Sequence, residues 1–117
     1  MLSDEEISAK IKSGSTDEGV QWAVQLVRGN SAYLSILLRL LREADDQRVR
    51  RKIAMALGEL GSYYKDVAEG LISRILDDDN EDVVKSASEA IAKIGERRAL
   101  PSLVRAIRRF PDSYYCL

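Results

Sequence analysis

One helical pattern recurs along this chain of 117 residues. The segments DQRVRRKIAMALGELG and NEDVVKSASEAIAKIG align at a shift of 34 residues, and their first valines and final glycines coincide. A shift of 33 in the other direction brings an earlier apolar row, Val20 to Val27, onto Ile53 to Leu60. A helix pair of this length has too little apolar surface to fold alone, so such units stack side by side. The repeat therefore predicts an all-α chain that folds as a short right-handed α-solenoid.

Apolar spacings of three and four residues divide the chain into about seven helices. The first begins with a capping box of Ser3 and Glu6 and ends near Gly14. The other six are expected at about residues 16–28, 31–43, 46–60, 64–76, 80–94 and 98–110. Residues 1–117 then form one domain, with a capping helix in 1–14, a tail at 111–117, and three helix pairs at about 16–43, 46–76 and 80–110.

Several local features refine this prediction. Gly61 and Gly95 follow the fourth and sixth helices, where a positive φ costs glycine little. Pro101 falls in the first turn of the seventh helix, where a missing N–H matters least. Asp79 or Asn80 is expected to cap the sixth helix. The residues of the third helix expected to face the core are Leu34, Leu37, Leu38 and Leu41.

The composition is typical of a folded protein from a reducing compartment. Hydrophobic residues make up 45% of the chain, and 18 cations face 19 anions, so no net field draws it to nucleic acid or to a membrane. The single cysteine, Cys116, cannot form an internal disulfide, and we recognise no signal peptide or membrane-spanning run. We expect a cytoplasmic protein with no membrane partner. Abundant arginine and scarce amide side chains favour a thermophile source.

The segments VRRKIAMALGELG and ERRALPSLVRAI resemble HEAT repeats, in particular the short HEAT-like subclass first noted in phycobilin lyases. The resemblance is good from Asp46 to Arg108 and weak from Leu2 to Glu43. It implies an armadillo-like helical scaffold for protein–protein interaction. A role as an accessory subunit for a pigment protein rests on this analogy alone.

The resemblance also implies a structural role for Arg50. This arginine lies beside the core sector of the fourth helix, and the position that corresponds to it in the next unit holds Val84. We expect Arg50 to stretch along the seam and pair with an acid of an adjacent unit, such as Asp45 or Asp79.

One helix of each HEAT pair usually lines the concave side, and this implies a candidate partner-binding ridge. The exposed positions that correspond to one another on the second, fourth and sixth helices hold Trp22, Arg51, Met55, Lys85 and Glu89. Tryptophan, methionine and arginine are enriched at protein interfaces. Two alternatives stay open at this point. The charged residues are equally typical of a solvated face, and Trp22 is equally suited to packing under the N-terminal helix.

Charge along the chain is uneven, and this raises a second candidate function. Residues 66–82 hold seven acids and one arginine, whereas residues 97–117 hold five arginines and one acid. The basic residues are Arg97, Arg98, Arg105, Arg108 and Arg109. They are suited to gripping phosphates, so nucleic-acid binding is the alternative hypothesis. They are equally suited to forming the polar outer face that a solenoid end requires.

Patterns that carry catalytic or metal chemistry are missing from the sequence. The chain has no histidine, and the acidic run Asp77–Asp82 lacks the glycine and glutamate of a calcium-binding loop. We therefore expect no enzyme activity, no cofactor and no metal. The predicted function is a non-catalytic scaffold or adaptor that binds a protein partner through its helical surface. Self-association is a further way to cover exposed ends of the stack.

Overall fold

The computed structural model describes residues 1–61 and 65–114 and is helical throughout, with no strand in those two ranges. A one-turn 3-10 helix, Arg97–Ala99, precedes α7. The helices are α1 Asp4–Lys12, α2 Thr16–Gly29, α3 Tyr33–Glu43, α4 Gln47–Leu60, α5 Lys65–Asp77, α6 Glu81–Ile94, α7 Leu100–Arg109 and α8 Pro111–Tyr114. The predicted all-α class is confirmed. The segment predicted as the seventh helix begins instead with the 3-10 turn Arg97–Ala99. Its α-helix, α7, ends at Arg109, and Phe110 separates it from α8.

The helices form two layers that advance in one direction. In the first layer α2 packs on α4 and α4 on α6, while in the second α3 packs on α5 and α5 on α7. The layers contact each other through α3 on α4 and, more extensively, α5 on α6. Helix α1 covers the open side of α2 and α4, and the molecule measures 40 × 25 × 21 Å. This arrangement is the predicted short α-solenoid.

Side chains at the helix starts fix where several helices begin. The Ser3 hydroxyl accepts from the Glu6 N–H while the Glu6 carboxylate accepts from the Ser3 N–H, so the predicted capping box is present. Asn80, one of the two predicted caps, accepts from the Val83 N–H and starts α6. Asp46 caps α4 by accepting from the Arg48 N–H, and hydrogen bonds from Arg48 hold the pKa of this carboxyl well below its usual range.

The repeating apolar rows make the core. The predicted inward residues of α2 and α4, from Val20 to Val27 and from Val49 to Leu60, are almost wholly buried. In α3 the centre of the buried face lies roughly 80° around the helix from the predicted centre, counted at 100° per residue, so that prediction was wrong. Ile36 and Leu40 are buried there, whereas two of the predicted residues, Leu34 and Leu38, are only half-buried. The buried face is rotated because α3 packs against α4 as well as α5.

Two glycines at helix ends behave differently. Gly95 has a φ of 79° and ends α6 in the left-handed conformation, as predicted. Gly61 has a φ of −42°, so the predicted positive φ is wrong there. Position 61 holds glycine because of packing, since a Cβ there would collide with the side chain of Ile94. Gly58 has a similar reason, since its Cβ would stand 2.9 Å from the Cβ of Ala90 where α4 and α6 cross closely.

Arg50 spans the seam between successive units, as expected, but its acidic partner is Asp78. The Arg50 Nε donates to Asp78 Oδ2 at 2.8 Å, and a terminal nitrogen donates to the Ala44 carbonyl. The prediction that the carboxylate of Asp45 or Asp79 pairs with Arg50 is wrong. The backbone carbonyl of Asp45 does accept a hydrogen bond from Arg50, at 3.1 Å. Only the Asp78 side chain is buried, at 1% exposure, because the turn after α5 points it inward.

A second long cation, Lys52, holds the capping helix. Its Nζ donates to the carbonyls of Ile11 at 3.0 Å, Lys12 at 3.2 Å and Ser15 at 3.4 Å. Lys52 is only 4% exposed. Because the last carbonyls of a helix have no partner within that helix, this ammonium satisfies groups at the end of α1 that would otherwise lack one.

The predicted tail begins with the single turn α8. The final residues, including Cys116, lie outside the described residues. The boundaries of the three repeat units stay predictions.

Candidate functional site

A continuous groove runs over the α2–α4–α6 layer, mostly between α4 and α6. It consists of two adjoining gaps of about 230 Å³ and about 190 Å³. Met55, Ser86 and Glu89 line both gaps and therefore mark the middle of the groove. We call this feature the α4–α6 groove. The other residues that line it are Thr16, Asp17, Val20, Arg51, Gly58, Glu59, Asp82, Lys85, Ala90 and Lys93.

Four of the five residues of the candidate ridge line this groove. Arg51 and Met55 reach it from α4 and are half-buried, whereas Lys85 and Glu89 reach it from α6 and are exposed. The fifth, Trp22, does not line either gap. It is half-buried and packs against the hydrophobic core.

Small side chains give the groove its depth, and the sequence reasoning did not assign them to the site. Ser86 is half-buried, and Gly58 and Ala90 are buried where α4 and α6 approach most closely. A larger side chain at any of these positions would fill the space. The only signal in the sequence is that positions 58 and 90 hold small residues, which are also typical of close helix packing.

Charges of both signs alternate around the rim. Asp17, Glu59, Asp82 and Glu89 are the lining acids, and Arg51, Lys85 and Lys93 are the lining bases. Such a mixture has no net attraction for a polyanion. It is suited to pairing with polar groups of both signs on another protein, which favours specificity.

Two of the rim side chains are tied to α2. The Gln21 amide donates to both carboxylate oxygens of Glu59, at 3.0 and 3.2 Å, and links α2 to α4. A terminal nitrogen of Arg51 donates to the Thr16 hydroxyl at 3.2 Å. The Arg51 Nε is buried and has no hydrogen-bond partner among residues 1–61 and 65–114.

The five C-terminal arginines do not form one free patch. Arg109 donates to the carbonyls of Ile75, Leu76 and Asp78 at 3.3, 3.1 and 2.8 Å, and so closes the end of α5. Arg98 pairs with Glu96 at 3.0 Å, and this hydrogen bond lowers the pKa of the Glu96 carboxyl. The remaining three are exposed, namely Arg97, Arg105 and Arg108.

Two searches of the described residues bear on other kinds of site. In the ranges 1–61 and 65–114, no three acidic, histidine or cysteine side chains are grouped so as to hold a metal ion. Over the same ranges, every helix is too short or too polar to cross a bilayer.

Comparison with known proteins identifies the family. A family model described as HEAT repeats matches residues 14–88 and again residues 34–115. The chain therefore belongs to the HEAT repeat family, and the resemblance noted in the sequence is confirmed. No curated protein and no solved structure matches the chain. HEAT repeats are commonly protein-interaction scaffolds and are generally not catalytic.

Proposed function

We propose that this protein is a non-catalytic scaffold that binds a protein partner in the α4–α6 groove. The observation that carries the proposal is the position of Met55. This half-buried side chain lies where the two gaps meet, and charges of both signs surround it. An apolar anchor with a polar rim is the usual anatomy of a protein interface.

Rigid helices support this function. Most of the groove residues are on α4 and α6, which cross closely at Gly58 and Ala90, and Gln21 of α2 fixes Glu59 at one edge. Side chains held in this way lose little conformational freedom when a partner docks. Within residues 1–61 and 65–114 the Arg51 guanidinium makes one hydrogen bond, to Thr16, so its other terminal N–H groups are available to a partner carboxylate.

The test is affinity capture from lysate of the source organism, with three variants as bait. Ser86→Arg fills the groove, and Met55→Gln replaces the apolar anchor by a polar side chain of similar size. Ser73→Arg is the matched control, because Ser73 lines a comparable gap between α3 and α5 in the other layer. Captured proteins are quantified by mass spectrometry.

We expect one or more proteins that wild type and Ser73→Arg retain and that Ser86→Arg and Met55→Gln lose. Retention should persist between salt washes of about 0.15 M and about 0.5 M, because a partly apolar contact is screened less than an exposed ion pair. If all four baits retain the same proteins, the groove assignment is wrong.

Nucleic-acid binding through the C-terminal arginines remains the second candidate. It is supported by the exposure of Arg97, Arg105 and Arg108. It is weakened by the internal contacts of Arg98 and Arg109, which leave three of the five cations for phosphates. A fluorescence titration with labelled RNA and DNA duplexes at low salt tests it. Binding that falls steeply with salt would support this candidate, and no binding would remove it.

A further inference from the structure

An apolar row on α7 is about half exposed among the residues that the structure describes. Leu100, Val104 and Ile107 follow one another at spacings of four and three on α7 and are 58%, 46% and 44% exposed. We call them the α7 row. Residues at this spacing lie on one face of a helix. This face of α7 is therefore apolar beside its exposed arginines.

The corresponding rows in the earlier repeat units show which kind of element packs over such a row. A shift of 32 aligns the α7 row with Ala68, Ile72 and Ile75 on α5. There Ala68 is 6% and Ile75 1% exposed and Ile72 is half-buried, and α7 is one of the helices that pack on α5. On α3 the corresponding row is Leu34, Leu38 and Leu41, of which Leu38 and Leu41 lie beside Gly70 of α5. In both units the occupant of this row is the next amphipathic helix along.

The charges beside the α7 row indicate which kind of helix can bind there. At 100° per residue, Arg108 and Arg105 lie about 40° and about 100° around the helix from Val104. Both are exposed, and neither has an ion pair within the described part of the chain. One flank of the apolar row is therefore basic.

We propose that the α7 row binds an amphipathic helix of a partner protein whose apolar face carries acidic residues along one flank. The apolar face takes the place that the next helix takes on α3 and α5, and the acids pair with Arg105 and Arg108. A second copy of this chain fits less well, because α7 holds no acid to pair with these arginines and antiparallel packing would bring them close to their own counterparts. The surface is separate from the α4–α6 groove, so the two proposals stand or fall independently.

Two synthetic peptides serve as probes of the full-length protein. Both are fluorescein-labelled, stapled helices with leucine along one face. One carries glutamate along one flank, and its matched control carries lysine at the same positions. Fluorescence anisotropy gives the affinity of each peptide for wild type, for Val104→Glu, and for the double variant Arg105→Glu/Arg108→Glu. Lys10→Glu, a charge reversal at an exposed position of α1 away from both surfaces, is the control for a general effect of charge.

We expect wild type and Lys10→Glu to prefer the glutamate peptide by at least about ten-fold. Val104→Glu should weaken that binding by at least about ten-fold, as expected for a change at the centre of an interface. The double variant should prefer the lysine peptide instead. The three positions are exposed, so circular dichroism melting curves should agree with wild type.

Other results would overturn the proposal. Equal affinity for both peptides, or unchanged affinity in Val104→Glu, would show that the α7 row and its arginines do not select an acidic helix. Sedimentation equilibrium decides the second-copy case. A wild-type dimer that Val104→Glu dissociates would show that another copy of this chain occupies the row.

Discussion

Replacing Lys52 with methionine tests how the capping helix is attached to the stack. Methionine keeps the length and volume of the side chain and removes the ammonium. In the structure that ammonium donates to the carbonyls of Ile11, Lys12 and Ser15 at 3.0 to 3.4 Å. The substitution therefore removes these hydrogen bonds and leaves the packing of the aliphatic stem in place.

The expected loss follows from the burial of the acceptors. Ile11 is wholly buried, so its carbonyl loses its partner at a cost of about 1–3 kcal/mol. Lys12 and Ser15 are exposed, and water can replace the ammonium at their carbonyls. Loss of the positive charge at the end of α1 contributes at most about 2 kcal/mol of further destabilisation. Part of this destabilisation is offset, because the variant no longer buries an ammonium group. We expect a net destabilisation of about 2 kcal/mol, a large share of a typical stability.

Urea unfolding followed by far-ultraviolet circular dichroism measures this loss. The matched control is Lys85→Met, the same chemical change at an exposed lysine, which should stay within about 0.5 kcal/mol of wild type. If both variants unfold at the same urea concentration with the same slope, the account of Lys52 as the anchor of α1 is refuted.

Three further stability measurements follow from the contacts described above. Asp78→Ala should cost about 3–5 kcal/mol, because it leaves a half-buried arginine without its acid, whereas Asp79→Ala at an exposed position should be nearly neutral. Gly58→Ala should cost about 1–3 kcal/mol by overpacking α4 against α6, whereas Gly29→Ala, with no atom within 4 Å of the new Cβ, should be neutral or stabilising. Asp46→Asn keeps the cap and removes the charge. Since the pKa of Asp46 is lowered on folding, its contribution is present above an unfolded pKa of about 3.9 and is lost as pH falls below it, so wild type should lose more stability in acid than Asp46→Asn.

Features that repeat in the sequence were predicted well. The rows from Val20 to Val27 and from Val49 to Leu60 gave both the helices and their buried faces, because each row lies against its counterpart in the next unit. Local signals were equally informative. The Ser3 capping box, the cap of α6 at Asn80 and the left-handed Gly95 each depend only on residues within one turn.

Predictions failed where neighbouring helices decide the outcome. Spacing alone did not show that Gly61 is small because Ile94 occupies its space, nor which of three consecutive aspartates faces Arg50. The role of Lys52 was not predicted, since nothing in the sequence places the end of α1 above it. Contacts between distant residues with no repeated counterpart leave no periodic trace.

The candidate site was predicted in outline. The shifts placed Arg51, Met55, Lys85 and Glu89 at corresponding positions, and the structure puts these four around one groove. The same shifts included Trp22, which packs against the core away from that lining. Alignment of repeats gives the position of a residue along its helix, whereas the depth of a groove depends on small residues opposite, such as Ser86, in the neighbouring helix.

Photo-crosslinking tests the central claim, that a protein partner docks in the α4–α6 groove, most directly. A photoreactive amino acid replaces Lys85 at the groove in one variant and Ser73 in the other layer in a second, and each is irradiated in lysate of the source organism. We predict a discrete crosslinked protein from position 85 that is absent from position 73 and is lost when Ser86→Arg is added. The same crosslinks from both positions, or from position 73 alone, would contradict the claim.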